Sequence, residues 1–390
     1  MPKWKLAMND VLSSSAAAAR AASLADYAGS LIRKGKKHHV GEILRQFVPK
    51  EKQSDKAYLG KVARDMMYSR RRYLVSYPQY FLFRFEEKTD AERRTFVGEF
   101  EKKKLTYALH SDLEVRRKFF DKYLAYETFK PYYHREMLLL ASEEDLPKLE
   151  DFAKRHPLFL LKALDKAEGK DIFRFDLREA PETAGNKSIC HSERGEESQK
   201  AAQAAGASSA DGLEGARTAA RAIFPCVAEE YLAQAPAMAA FHPASVNTIR
   251  YVTFLRPDKL VHMYAILRTG SGDSIVDNAG SGGICASVDP ETGVILTDGF
   301  REDGTSYTAH PDSGVVFKGT RLPRWDELIA LVEELARVVP EQKYVGWDLA
   351  LTPDGWCMIE GNDRAMFTAV QMCEQKGLRP VIEETFLCKK

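Results

Sequence analysis

Apolar positions along this chain follow a helical period in some stretches and a strand period in others. The first 75 residues are rich in Ala, Lys and Arg with few strand-favouring residues, which predicts helices. Over residues 111–137, Val115, Phe119, Tyr123 and Tyr126 recur at helical spacing and predict one further helix. Residues 156–164 are a short apolar run, read as a strand, followed at 165–170 by a polar turn that contains Gly169. Residues 180–220 hold Ala, Ser, Gly and Glu with almost no large apolar side chain. Such a composition cannot bury enough surface to offset its ordering entropy, so the whole segment is expected to be an inserted surface loop. Beyond residue 222 strands predominate, at 246–255, 260–268, 274–277 and 293–297, joined by Gly, Pro and Asp turns. Trp325, Leu328, Ile329, Val332, Leu335, Ala336 and Val339 then fall on one face of a helix. The sum is an α+β chain with mixed or antiparallel sheets and helices on their faces. Its expected parts are a helical region over 1–110, a first lobe over 111–228 and a second lobe over 229–390.

The stretch 344–362 reads as a hairpin. Apolar segments at 345–351 and 356–359 flank Thr352-Pro353-Asp354-Gly355. Pro favours the first central position of a type I turn and Gly the left-handed position after it, predicting a three-residue loop, Pro353-Asp354-Gly355. In that register Thr352 faces Trp356 and Asp348 faces Glu360, and directly opposed side chains share a sheet face. Asn362, two residues beyond Glu360, shares it as well. Like charges set directly opposite each other destabilise a sheet unless a cation lies between them. Two carboxylates and a carboxamide suit Mg²⁺, which binds one or two carboxylates together with phosphate and water. The plainer alternative is a polar outer face with two solvated acids.

Composition narrows the classes further. The 390 residues carry a formal net charge of +1, which gives no electrostatic case for nucleic acid. Hydrophobic residues make up 44%, enough to build sizeable cores. No apolar run approaches the ~20 residues of a membrane span, and residues 1–22 lack the continuous apolar core of a signal peptide. Cys190, Cys226, Cys285, Cys357, Cys373 and Cys388 form no C-x-x-C pair and no zinc spacing, as expected of reduced thiols in a cytoplasmic protein. The basic runs Arg33-Lys34-Gly35-Lys36-Lys37 and Arg70-Arg71-Arg72 read as a solvated helical face, or as a peripheral contact with an anionic membrane.

Val345-Gly346-Trp347-Asp348 followed by Ile359-Glu360-Gly361-Asn362 resembles the end of an ATP-grasp domain. His242-Pro243-Ala244-Ser245-Val246-Asn247-Thr248-Ile249-Arg250, Val276-Asp277-Asn278 with Gly282-Gly283, and His310-Pro311-Asp312-Ser313-Gly314 narrow the resemblance to the sugar-transfer-associated ATP-grasp family. It runs from about residue 111 to 374, outside the insertion. The resemblance implies two α+β lobes clasping ATP, with Mg²⁺ on Asp348, Glu360 and Asn362. Lys122, after Asp121 at a helix start, and Lys162, near the end of an apolar strand, resemble the two phosphate-binding lysines. Glu229-Glu230-Tyr231-Leu232 resembles the hinge whose backbone reads adenine, with either Glu229 or Glu230 taking the amino group. The loop 165–170 stands where the family has a glycine-rich phosphate cover, and has only Gly169.

Arg250 and Arg268 are candidates for stabilising the transferring phosphoryl group or gripping a carboxylate, and equally for structural ion pairs. Asn247, Asp277, Asn278, Gly282, Gly283, His310 and Arg364 are candidates for substrate binding. For Asp277, Asn278 and the glycines the alternative is a tight turn, and for His310 a satisfied loop histidine. The activity implied is ATP-dependent activation of a carboxylate as an acyl phosphate, then attack by an amine. The expected partners are a small-molecule or glycan-linked carboxylate and an amine, in surface polysaccharide or related biosynthesis. A phosphoryl-transferring kinase and a nucleotide-binding scaffold are the other readings.

Overall fold

A computed structural model describes residues 34–109, 111–164, 172–178, 212–274, 276–278, 280 and 282–387 of the chain. The turn at 165–170, Arg33, Cys190, Cys388 and most of the 180–220 insertion lie outside the described residues.

Two antiparallel sheets carry the fold. The smaller contains β1 (Met137–Leu140), β2 (Leu158–Ala163), β3 (Ile172–Asp176) and β4 (Cys226–Glu230), in the order β1-β4-β2-β3. Phe159, Leu161 and Ala163 of β2 alternate inward onto Leu149, Phe152 and Ala219, while Lys162 is left on the opposite face. The larger sheet contains β5 (Thr248–Leu255), β6 (Leu260–Thr269), β7 (Ile284–Val288), β8 (Gly299–Phe300), β9 (Ser306–Tyr307), β10 (Tyr344–Thr352) and β11 (Gly355–Asn362). Its order is β11-β10-β5-β6-β7-β8-β9.

Helices cover both faces of the larger sheet, which is why β10 is buried from Tyr344 to Leu351 rather than alternating. The helix Trp325–Val338 lays Trp325, Leu328, Val332 and Leu335 against Tyr251, Leu267, Val345 and Leu349. On the other face, helices Lys34–Phe47, Lys56–Tyr73 and Glu99–Leu109 bury Ile43, Met66, Tyr73 and Leu105 in one core with Val252, Phe254, Tyr264, Ile266 and Tyr344. That second face also carries Gly346 and Asp348, by strand alternation. It is therefore apolar where the helical region covers it and charged where the cover ends.

Five expectations change. The single helix over 111–137 is two helices, Leu113–Phe120 and Lys122–Phe129, broken where Asp121 becomes extended and caps the second by accepting from the Leu124 amide. Residues 212–220 of the expected loop belong to the helix Gly212–Ala222, whose Ala216, Ala219 and Ala220 are fully buried. Small side chains allowed that close approach without the large apolar residues a sequence pattern looks for. Neither 274–277 nor 293–297 is a strand: Ser274 folds back on Ser271 and Val276, and Val294 and Ile295 make only isolated bridges. The hairpin loop is two residues, Pro353-Asp354, with Thr352 opposite Gly355 instead of Trp356. Of the basic triplet, Arg70 lies over the rings of Tyr77 and Phe100 and Arg72 is buried, so it is not a free solvated face.

Candidate active site

The shortened turn moves the hairpin register by one residue, and a β-bulge between Asp348 and Leu349 moves it back. Leu349 pairs with Met358 and Asp348 with Glu360, so Ile359 is the extra residue on β11. Asp348 thus faces Glu360 as expected, through a different loop and a compensating bulge. Gly346 faces Asn362, and the Asn362 Nδ2 donates to Glu360 Oε1 over 3.2 Å.

Across the sheet, Arg250 on β5 is paired with Asp348. Its guanidinium forks onto the carboxylate: Nε donates to Oδ1, and Nη2 to Oδ2 at 2.7 Å. Arg268 on β6 donates Nη1 to Asp348 Oδ2 at 2.8 Å and Nη2 to Asp277 Oδ1 at 2.9 Å and Asn278 Oδ1 at 2.7 Å. Burial alone would raise the Asp348 carboxyl, but the two guanidiniums outweigh it and hold the group well below the ordinary carboxylate range. Glu360 is open to solvent, yet protein crowds its remaining sides. Burial and the neighbouring Asp348 charge push its carboxyl up. The site is a charged row, two acids then two arginines then an acid, Glu360–Asp348–Arg250/Arg268–Asp277, laid across four strands and the loop after β6.

The donor set fits Mg²⁺ in type: two carboxylates and a carboxamide on one face, with Glu360 and Asn362 reachable from solvent. Asp348 Oδ2 accepts from both guanidiniums and Oδ1 from one, so Oδ1 is the oxygen with a lone-pair direction left for a cation. Among the described residues no group of three His, Cys, Asp or Glu side chains forms a cation site elsewhere.

The smaller sheet contributes a second charged cluster. Lys162 Nζ lies 2.6 Å from Glu229 Oε2, and Arg135 Nε donates to Glu229 Oε1 at 2.6 Å. Burial opposes ionisation of Glu229, but Lys162 and Arg135 prevail and lower its pKa to about 2. Glu230 points to the other face, accepting from the Glu136 amide at 2.9 Å and approaching His156. Lys122, at the start of its helix, donates to the Leu164 carbonyl just past Lys162. Tyr231 and Leu232 follow β4 as half-buried residues, the Tyr231 ring lying under Arg174.

The remaining candidates divide by how fully the protein uses them. Asn247 is fully buried and donates to Gln234, Met238 and His242 oxygens, which ties the loop before β5. His310 is buried, its Nε2 bonded to the Gly270 carbonyl and its Nδ1 accepting from the Asp312 amide. Burial lowers its pKa. Asp277 is buried against Thr248 and Arg268, and Gly283 packs so tightly that a Cβ would meet the Asp277 carbonyl at 2.4 Å. Gly282, at φ +84°, lines a cavity of about 510 Å³ with Arg301, Thr368, Ser76, Gln79 and Glu99, between the helical region and the larger sheet. Arg364 is exposed, 3.9 Å from Asp363.

Arg135 escaped the sequence reading. It follows His134, which adopts a left-handed φ of +50°, and it is buried. Besides Glu229 it donates to the carbonyls of Tyr133, Met358 and Ile359, at 2.9, 2.7 and 3.5 Å. These partners lie up to 224 residues away in sequence, so no local signal marks them.

The profile of the sugar-transfer associated ATP-grasp family matches residues 125–386, well over half of the chain. No functionally curated protein sequence matches. Among solved structures, the chain is similar to the ATP-grasp ligase PsnB in complex with a minimal precursor, at 12% identity and a TM-score of 0.38, over 87% of this chain and 75% of that one. It is similar to D-alanyl-alanine synthetase A from Vibrio cholerae, at 10% identity and a TM-score of 0.38, over 73% and 66% of the two chains. An L-amino acid ligase from Bacillus licheniformis aligns at 9% identity and a TM-score of 0.39, over 73% and 52%. With the family match covering both sheets, the chain belongs to the sugar-transfer-associated ATP-grasp family.

Proposed function

We propose that the chain is a Mg²⁺- and ATP-dependent ligase that joins a carboxylate to an amine. The observation that carries this reading is the in-register pairing of Asp348 with Glu360, beside Asn362 and on one face with Arg250 and Arg268. Asp348, Glu360 and Asn362 would hold the metal, which when bound neutralises phosphate charge. Lys162 and Lys122 would face the phosphates, and Glu229, which shares its side of the sheet with Lys162, would be the adenine partner rather than Glu230, which turns to Glu136 and His156. Tyr231 and Leu232 would offer backbone groups to the ring.

Arg250 and Arg268 would stabilise the charge that builds on the transferring γ-phosphoryl group. A substrate carboxylate oxygen attacks that phosphorus, the bond to the ADP oxygen breaks, and an acyl phosphate forms. An amine then attacks the acyl carbon, inorganic phosphate leaves, and the amine nitrogen loses a proton to give an amide. Positioning and electrostatics suffice, with no protein nucleophile. Gly282 and the cavity beside it would lie on the acceptor side, with Asp277, Asn278 and Gly283 in the same loop between β6 and β7. His310 and Asn247 would steady the start of that loop through Gly270, and Arg364 would meet the substrate from the surface. The family's description supports a sugar-linked or polysaccharide-related substrate.

The test is ATP turnover with Mg²⁺ against pools of carboxylates and amines, with Glu360→Ala in parallel. ADP and phosphate are expected only when both pools are present, with a loss of at least about a hundredfold in the variant. AMP formation, or turnover indifferent to Glu360→Ala, would count against this reading.

A further inference from the structure

At the Ile359 bulge two successive carbonyls of edge strand β11, those of Met358 and Ile359, accept from one buried guanidinium, that of Arg135, which stands just before β1 of the other sheet. Arg135 stands between β4 and β11: it binds Glu229 on one side, and the Met358 and Ile359 carbonyls, directly before Glu360, on the other. The fork gives its Nε donor to a carboxylate and its two terminal nitrogens to carbonyls. Glu229 in turn holds Lys162. A continuous chain of charge-assisted bonds thus runs from Lys162, through Glu229 and Arg135, to the bulged strand that carries Glu360 and Asn362. The smaller sheet is joined to this strand at the one point where its ladder is irregular.

We propose that Arg135 is a positioning residue that fixes the bulge, so that Glu360 and Asn362 are aimed by the sheet that binds the nucleotide. The inference rests on the ATP-dependent reading above. Arg135 does two separable things, neutralising Glu229 and bridging carbonyls. A lysine in its place keeps the charge on Glu229 but, as a point donor on a flexible stem, does not span both. A glutamine keeps an amide donor and loses the charge.

The experiment measures equilibrium binding of a fluorescent ATP analogue to the full chain, in EDTA and in saturating Mg²⁺, for the wild type, Arg135→Lys and Arg135→Gln. Thermal unfolding of each supplies the folded fraction. For Arg135→Lys the expected result is binding in EDTA within about twofold of wild type, with about tenfold of the Mg²⁺-dependent gain lost. Arg135→Gln is expected to lose binding in both conditions. If Arg135→Lys keeps the whole Mg²⁺ gain while Arg135→Gln does not, Arg135 only balances the charge of Glu229, and the positioning role is overturned. Parallel losses in EDTA and Mg²⁺ for Arg135→Lys overturn it too, as a general structural effect. A wild type without any Mg²⁺-dependent binding would instead refute the underlying ligase reading, and this inference with it.

Discussion

At the scale of single residues, the acids of the two ion-pair clusters are set by opposite balances of neighbouring charge, even within one cluster. Asp348 and Glu229 are buried carboxylates held charged by two cations each, whereas Glu360 is an acid whose nearest charged partner is another acid. Glu229 makes the clearest stability prediction. Its folded pKa of about 2 lies below the ordinary glutamate value of 4.5, so its contribution is complete above pH 4.5 and disappears as pH falls through about 2. The shift corresponds to about 3 kcal/mol at neutral pH, of which about 2 kcal/mol is gone at pH 3. Denaturant unfolding should therefore show Glu229→Gln destabilised by roughly 3 kcal/mol at pH 7, with the gap to wild type narrowing at pH 3. A gap that stays constant with pH would mean that Arg135 and Lys162 do not hold Glu229 ionised. Gly346 offers a packing counterpart. A Cβ there would lie 2.6 Å from the Ala365 Cβ and 3.0 Å from the Arg250 Cδ. Gly346→Ala should cost about 1–3 kcal/mol as overpacking and push Arg250 off Asp348, both readable from unfolding and nucleotide affinity.

At the scale of elements, the hairpin shows what a sequence discloses and what it hides. Apolar flanks and Pro-Asp-Gly mark its two strands, and the Asp348–Glu360 pairing could be read from them. The route to that pairing could not, because a two-residue loop plus a bulge gives the same far register as a three-residue loop without one. Turn chemistry is local, while the bulge is stabilised by Arg135, from a part of the chain more than 200 residues away. Helix Gly212–Ala222 was hidden for a different reason: alanines bury well only where a neighbour approaches closely, and composition alone reports low complexity. The charged residues of β5 and β6 were legible as candidates, but their shared hold on Asp348 needed the strand order. The bulge itself can be tested. Deleting Ile359, the extra residue, should keep Leu349 opposite Met358 and Asp348 opposite Glu360 but remove the bulge and one of the carbonyls that Arg135 binds. The expected outcome is a folded protein without Mg²⁺-enhanced nucleotide binding. Retained enhancement would show that Glu360 and Asn362 do not need the bulge to bind Mg²⁺.

At the scale of the whole molecule, the helical region is part of the second sheet's core rather than an appendage. Met66, Tyr73, Phe83 and Leu105 pack with Val252, Tyr264, Ile266, Tyr344 and Phe367, and Arg379, buried with Glu101, ties the last helix to the same region. The face these helices cover also carries Asp348 and Arg250, so the cover decides where the apolar core stops and the charged site begins. Removing it would expose a contiguous apolar surface on β5, β6 and β10, far beyond scattered single residues. It would also open one wall of the cavity that Gly282 and Arg301 share with Ser76, Gln79 and Glu99. A chain limited to residues 111–390 should therefore lack a cooperative thermal transition and bind a hydrophobic dye, although it keeps every proposed metal and phosphate contact. Cooperative unfolding of that fragment, with wild-type nucleotide affinity, would make the helical region an independent domain. Wild-type nucleotide affinity without ligation would place its role at the acceptor cavity instead. Loss of both would locate the boundary of the functional unit at the start of the helices rather than at the start of the ATP-binding lobes.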